Sequence, residues 1–141
     1  MILYKCKTPK IGGSTRYKEV ARKARMHYHK IERQSRRNAY IKSAYFGKEK
    51  VFINLFWTHL NQKPQRERRE RLKFLPCAYE LIKNSSNKPI IKQNPNNKSE
   101  TLYRFGGTTK SGELFYVQIK EDKKSKRKDF MSVFPEVDFK E

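Results

Sequence analysis

The last third of the chain alternates apolar and polar residues in three short runs, and this alternation constrains the fold more than any other feature. The runs are TLYRFGG, LFYVQIKE and DFMSVFP, and the polar turns TTKSGE and DKKSKRK separate them. Successive side chains of a β-strand point to opposite faces, so this pattern is typical of strands with one buried face. Because short polar turns join the runs, the sequence predicts a C-terminal three-strand antiparallel meander.

The alternation also predicts which side chains share a face of the meander. Apolar side chains are expected on an inner face, formed by Tyr103, Phe105, Phe115, Val117, Ile119, Met131 and Val133. Polar and aromatic side chains are expected on the outer face, namely Arg104, Tyr116, Gln118, Lys120 and Ser132, with Phe130 and Phe134 beside them. Cations, a hydroxyl and rings on one face make this the candidate functional surface.

The first half of the chain predicts helices and one hairpin. Apolar residues recur at three- and four-residue steps from Tyr17 to Ile31, which predicts an amphipathic helix with a basic opposite side. Two strand-like runs, residues 40–46 and 50–54, flank Gly47 and predict a hairpin. The segment LFWTHLNQ fits a short helix.

The middle of the chain predicts a basic helix followed by a loop. The segment KPQRERRERLKFLPCAYELI is helical in pattern, and Pro76 is expected to break or restart the helix. Residues 84–100 are rich in Asn, Ser, Lys and Pro, which predicts a loop. The predicted fold class is therefore α+β, with N-terminal helices packed on one face of an antiparallel sheet of about four to five strands.

The net charge restricts the kind of partner. The 141 residues include 34 Lys and Arg against 14 Asp and Glu, a net charge of +20, and residues 1–83 carry +16 of it. Such an excess attracts polyanions. Nucleic acid, with RNA favoured, is expected rather than a membrane, because no apolar run approaches the roughly 18 residues of a spanning helix. A solubilising surface is the alternative explanation of the charge.

The sequence predicts no metal, cofactor or disulfide framework. Cys6 and Cys77 are far apart, the three histidines form no metal-binding motif, and the carboxylates are scattered. We expect reduced thiols and a cytoplasmic location, and the opening MILYKCK is too short for a signal peptide. The length predicts a single domain over residues 1–141.

The residue types on the outer face suit metal-independent cleavage of RNA. Such cleavage needs a base for the 2′-hydroxyl, an acid for the leaving 5′-oxygen, and cations for the phosphoryl oxygens. The candidate catalytic residues are His59 as acid or base, Arg104 and Lys120 as cations, and Ser132 as an auxiliary donor. The alternatives are that both cations are solvated strand residues and that His59 is a core-edge residue bonded to a backbone carbonyl.

Further residues are candidates for binding RNA. A run of cations in the predicted basic helix is expected to follow the phosphate backbone, and rings and an amide of the meander are expected to contact bases. These RNA-binding candidates are Arg66, Arg68, Arg69, Arg71, Lys73, Tyr116, Gln118 and Phe130.

Three segments, RLKFLPCAYELI, LYRFGGTTKSGELFYVQIKED and FMSVFPE, resemble the phage-associated barnase–EndoU–colicin–RelE-like nucleases. The resemblance covers about residues 40–136 and leaves residues 1–39 as a basic helical extension. It implies a small α+β protein whose active face lies on a four-stranded antiparallel sheet. It also implies a metal-independent endoribonuclease that acts as a toxin or as a phage or mobile-element effector.

Two other functions stay open at this point. The chain could be a non-catalytic RNA- or DNA-binding module of the same fold. It could also dock on an acidic protein, such as a small antitoxin. The sequence predicts no oligomeric state.

Overall fold

Helices dominate the first part of the chain and strands the last, in an α+β arrangement. The computed structural model describes residues 1–13 and 15–136. The described residues form the helices α1 (Tyr17–Gln34), α2 (Leu55–Leu60), α3 (Gln65–Lys73) and α4 (Leu75–Asn84). They also form the strands β1 (Tyr4–Lys5), β2 (Tyr40–Ser43), β3 (Glu49–Phe52), β4 (Ile90–Gln93), β5 (Glu100–Thr108), β6 (Leu114–Asp122) and β7 (Lys128–Pro135). The predicted α+β class is confirmed.

The described strands form one mixed sheet in the order β1-β5-β6-β7-β3-β2, with β4 also paired to β5. The antiparallel meander β5-β6-β7 and the β2-β3 hairpin are confirmed. However, β3 pairs in parallel with β7, and β1 in parallel with β5. The prediction of an antiparallel sheet of four to five strands is therefore wrong in strand number and in direction. Alternation shows the faces of a strand but not its neighbours.

One strand lies inside the segment that was predicted to be a loop. Residues 90–93 form β4, which pairs antiparallel with residues 101–104 of β5. All four residues of β4 are exposed, and the side chains of Ile90 and Ile91 are each 53% exposed. A strand with no buried face leaves no alternation in the sequence, so the loop prediction failed here.

Helices α1 and α4 pack on the inner face of the sheet. Val20 and Ala24 of α1 are fully buried in the same apolar core as Phe115 and Val117 of β6. Residues 1–39, expected to be an extension, therefore contribute to this core through α1. Pro76 lies in the first turn of α4, where its missing N–H is tolerated, so the predicted restart of the helix is confirmed.

A half-buried cluster of charged residues joins β3 to the meander. The Tyr103 hydroxyl donates to Glu121 at 2.9 Å, and Lys128 Nζ lies 3.0 Å from Glu121 and is also bonded to Glu49. Burial and the bond to Glu121 raise the pKa of Tyr103 to about 12. Although desolvation opposes it, bonding to Glu49 and Glu121 raises the pKa of Lys128.

We expect the free energy of unfolding to fall as the pH rises above about 10. An unfolded tyrosine titrates near pH 10, whereas folded Tyr103 keeps its proton up to about pH 12. The folded chain therefore binds more protons in this window, so alkali favours unfolding. Urea denaturation at about pH 9, 10 and 11 measures the effect. Tyr103→Phe should reduce the dependence on pH; an unchanged dependence in this variant would contradict the assignment.

Candidate functional site

Arg104, Gln118 and Ser132 form a row across the outer face of the meander. The strand register pairs Arg104 with Gln118, and Gln118 with Ser132, so the three side chains share one face. Lys120 lies on this face too, because it pairs with Leu102, two residues before Arg104. The prediction that these four polar residues share a face is confirmed.

A β-bulge in β7 decides which of its side chains reach the outer face. Gln118 pairs with Ser132, but the next residue of β6 pairs with Phe130, so Met131 is an extra residue. Phe130 consequently points into the core, where it is fully buried and stacks on Phe56 at a centroid distance of 5.0 Å. The prediction that Phe130 stacks on RNA bases is therefore wrong. The prediction that Met131 lies in the core is also wrong. Its side chain is half-buried and contacts Gln118 of the outer face, with its Sδ 3.7 Å from the amide nitrogen.

Two aromatic rings and an amide hold the Arg104 guanidinium on the outer face. Its Nη2 donates to Gln118 Oε1 at 3.2 Å. Its Cζ lies 5.2 Å from the centroid of the Phe134 ring and 5.9 Å from that of Tyr116. Within residues 1–13 and 15–136, its buried Nε has no hydrogen-bond partner. A buried donor without an acceptor is costly, so the contacts that hold the guanidinium leave one of its donors unsatisfied.

A pocket of only about 10 Å³ beside the row brings together His59, Lys63, Arg71 and Ser132, so it has room for about one water molecule and not for a phosphate. The first two come from α2 and the turn after it, Arg71 comes from α3, and Ser132 comes from β7. The parallel pairing of β3 with the start of β7 explains this meeting, because α2 follows β3 directly and packs beside β7. The structure thus places two predicted site residues, His59 and Ser132, in one pocket.

The Ser132 hydroxyl is one of the buried polar groups of this pocket. Ser132 is 5% exposed, and its Oγ has no hydrogen-bond partner among the residues that the structure describes. This hydroxyl can donate to an oxygen of a ligand only if the pocket widens.

Arg71 is the largest of the fully buried side chains in the described chain, at 1% exposure. Its Nη2 donates to Glu67 one helical turn earlier at 3.2 Å. Its Cζ lies 5.6 Å from the centroid of the Phe134 ring, the same ring that Arg104 contacts. The prediction that Arg71 lies on a solvated basic helix face is therefore wrong. It stands instead at the border of the pocket and the outer face.

The other predicted cations of α3 contact protein groups or solvent rather than the pocket. Arg69 forms an ion pair with Glu70 at 2.9 Å and donates to a backbone carbonyl before α1. Lys73 forms an ion pair with Glu70 at 3.2 Å. Arg68 lies over a tyrosine ring of α1, and Arg66 is exposed. Part of the positive charge of α3 therefore serves to hold α3 against its neighbours.

Lys120 shares the outer face but does not line the pocket. Its Nζ forms an ion pair with Glu100 at 2.9 Å, and its side chain is 27% exposed. The carboxylate offsets the charge that Lys120 would offer to a phosphate.

Apolar residues at the start of the chain border the row on its other side. Gly106 pairs with Tyr116 on the outer face, and a Cβ at Gly106 would lie only 2.7 Å from Leu3 Cδ2. The absence of a side chain at this position therefore lets Leu3 cover the sheet there.

In the part of the chain that the structure describes, no cluster of three or more His, Cys, Asp or Glu is arranged to hold a metal ion. None of the described helices is both long and apolar enough to cross a membrane.

No family model, curated protein or solved structure matches the chain. The resemblance to nucleases therefore stays a prediction.

Sequence reasoning missed two residues of the pocket in their observed roles. Lys63 was not a candidate, and Arg71 was expected on the surface. Leu72 is the apolar residue that marks the buried side of α3. Arg71 and Lys73 are both its immediate neighbours in the sequence, yet only Arg71 is fully buried. The sequence therefore contains no signal that separates the buried cation from its neighbours.

Proposed function

We propose that the outer face of the meander binds RNA and that the pocket beside it cleaves RNA without a metal ion. The convergence of His59, Arg71 and Ser132 at the end of the row that Arg104 begins supports this proposal. The proposal requires the closed pocket to open when RNA binds, after which a titratable group, two guanidinium groups and a hydroxyl donor would surround one phosphate.

Binding would rely on charge and on the rings of the outer face. The net charge of +20 would attract an RNA strand to the protein. Arg104 and Arg71 both contact the Phe134 ring, and a guanidinium fork matches two phosphate oxygens. Tyr116, which packs against Phe134 at 5.6 Å between centroids, offers a ring for base stacking.

Cleavage would begin with attack of the ribose 2′-oxygen on phosphorus while His59 takes its proton. The bond from phosphorus to the 5′-oxygen then breaks, and this oxygen takes a proton from the imidazolium or from water. The products are a 2′,3′-cyclic phosphate and a 5′-hydroxyl. Arg104 would stabilise the charge on the pentacovalent phosphorane, and Arg71 would add to this effect although Glu67 offsets part of its charge. Ser132 would donate to a non-bridging oxygen. Lys120, whose charge Glu100 offsets, would help to position the RNA strand.

The test is incubation of the purified protein with end-labelled RNA in EDTA. We expect cleavage, and we expect His59→Gln to lower its rate by about 100-fold or more, because acid–base catalysis supplies factors of this size. His29→Gln is the matched control, since His29 is half-exposed on α1 and pairs with Glu32. Intact RNA, or cleavage only with added Mg²⁺, would overturn the proposal.

Non-catalytic RNA binding is the second candidate, and the burial of Arg71 and Ser132 favours it because little of either side chain reaches solvent. This function predicts RNA binding whose affinity falls with salt by about 0.7 log units per phosphate contact, without any cleavage product. Measuring affinity and cleavage on the same labelled RNA separates the two functions.

A nuclease of this kind would arrest growth when expressed alone, which agrees with the predicted role as a toxin or mobile-element effector. Its positive charge would also suit an acidic partner protein that restrains it. Growth after induction of the wild type and of His59→Gln tests this role, and equal arrest by both would count against it.

A further inference from the structure

A wide groove lies between the end of α1, strand β2 and helix α4, with a volume of about 810 Å³. It shares no lining residue with the pocket of His59 and Ser132. Its volume falls within the range of about 300–1,000 Å³ that is usual for small-molecule sites. The proposed cleavage reaction does not use it.

Each wall of the groove supplies one lysine. Lys30 comes from α1, Lys42 from β2 and Lys83 from α4, and all three side chains are exposed. Within the described ranges, no ion pair to any of the three is found. Three lysines without carboxylate partners in the lining give the groove positive charge, which an anion bound there would offset.

The acidic residue of the groove is already committed to other groups. The Glu80 carboxylate accepts hydrogen bonds from the Tyr4 hydroxyl at 2.7 Å and from the backbone N–H groups of Lys7 and Thr8. Although burial opposes it, these bonds hold the pKa of Glu80 below its usual value. The Glu80 carboxylate is therefore hydrogen-bonded to the N-terminal segment and not paired with a lysine of the groove. The three lysines outnumber this carboxylate, so the groove has an excess of positive charge.

The remaining lining suits a nucleobase and a sugar better than a bare inorganic anion. Half-buried Ile31 gives apolar surface, and Gln34 and Asn84 carry amide groups. Partial burial and the nearby Lys30 lower the pKa of His27. A neutral imidazole can both donate and accept a hydrogen bond.

We propose that this groove binds one phosphate-bearing nucleotide, with its phosphate near Lys30, Lys42 and Lys83 and its base against Ile31. The same chemistry serves a free nucleotide and one nucleotide of an RNA strand. The site is separate from the pocket of His59, so it does not depend on RNA cleavage.

Titration of the ¹⁵N-labelled protein with AMP, UMP, inorganic phosphate and a short RNA oligonucleotide tests the proposal. We expect saturable shifts of the amides of residues 30–35 and 40–42 with both nucleotides, and weaker binding of phosphate alone. Shifts in the groove with the oligonucleotide but not with AMP or UMP would identify a nucleotide of an RNA strand as the occupant. No shift in the groove with any nucleotide or RNA would overturn the proposal, as would phosphate binding as tight as that of AMP.

Substitution of the three lysines gives a second readout. The variant Lys30→Gln/Lys42→Gln/Lys83→Gln should bind AMP, or the RNA oligonucleotide if that is the occupant, at least about tenfold more weakly in the groove. The control Lys98→Gln/Lys123→Gln/Lys124→Gln removes the same charge from exposed turns and should change binding less than about twofold. An equal loss in both variants would show an effect of net charge alone and would overturn the site. Cleavage in EDTA, assayed in parallel, reports separately on the His59 pocket.

Discussion

Arg104→Gln is expected to lower the rate of the proposed RNA cleavage by about 100-fold or more, as the loss of one charge-stabilising donor does in the active sites of enzymes. The guanidinium is held by Gln118 and by the rings of Tyr116 and Phe134, so it is positioned before any ligand arrives. Glutamine keeps hydrogen-bonding capacity but removes the charge that would stabilise the phosphorane. Single-turnover cleavage with saturating protein isolates this effect from a loss of RNA affinity.

The matched control for this variant is Arg22→Gln. Arg22 lies on α1 with 60% of its side chain exposed, and its substitution removes the same charge. We expect less than about a twofold change in rate, because exposed charges contribute little and are screened by salt. Equal losses in the two variants would show that Arg104 acts only through the net charge.

Phe130→Ala is expected to lower the free energy of unfolding by about 3–5 kcal/mol, because it leaves a large cavity in the core. The ring is fully buried, stacks on Phe56 and meets the Tyr79 ring edge-on at 6.2 Å between centroids. Urea denaturation measures the loss, and an unchanged urea m-value would show that the shifted midpoint reports a change in stability.

Tyr116→Ala is the matched comparison on the outer face. Its ring is only half-buried, so the expected loss of stability is about 1 kcal/mol, whereas RNA affinity should fall by roughly 1–3 kcal/mol if the ring stacks on a base. The reverse result, a stable Phe130→Ala variant with weakened RNA binding, would place the Phe130 ring on the surface and contradict the bulge.

The meander could be predicted from the sequence because burial imposes a period of two on β5, β6 and β7. The same rule predicted that Arg104, Gln118, Lys120 and Ser132 share a face, and the register agrees. It failed at Met131, since a bulge shifts the period by one residue and leaves no mark in composition. The error at Phe130 follows from this single residue.

The neighbours of the strands could not be predicted in the same way. β1 contains two residues and β4 has no buried face, so neither shows a periodic pattern. The parallel pair β3-β7 joins segments that are far apart in the sequence, and it is this pair that brings α2 with His59 beside Ser132. Sequence reasoning named both residues, but only the topology places them in one pocket.

The pairing of distant segments also governs when the protein can assemble during synthesis. β1 must wait for residues 107 and 108, and β3 must wait for residues 128 and 129, before either can join the sheet. Such remote contacts slow folding. A ribosome-bound chain that lacks β7 therefore has neither Ser132 nor the partner strand that positions α2. The emerging polypeptide, although strongly basic and surrounded by ribosomal RNA, would hold no assembled pocket until β7 has been synthesised.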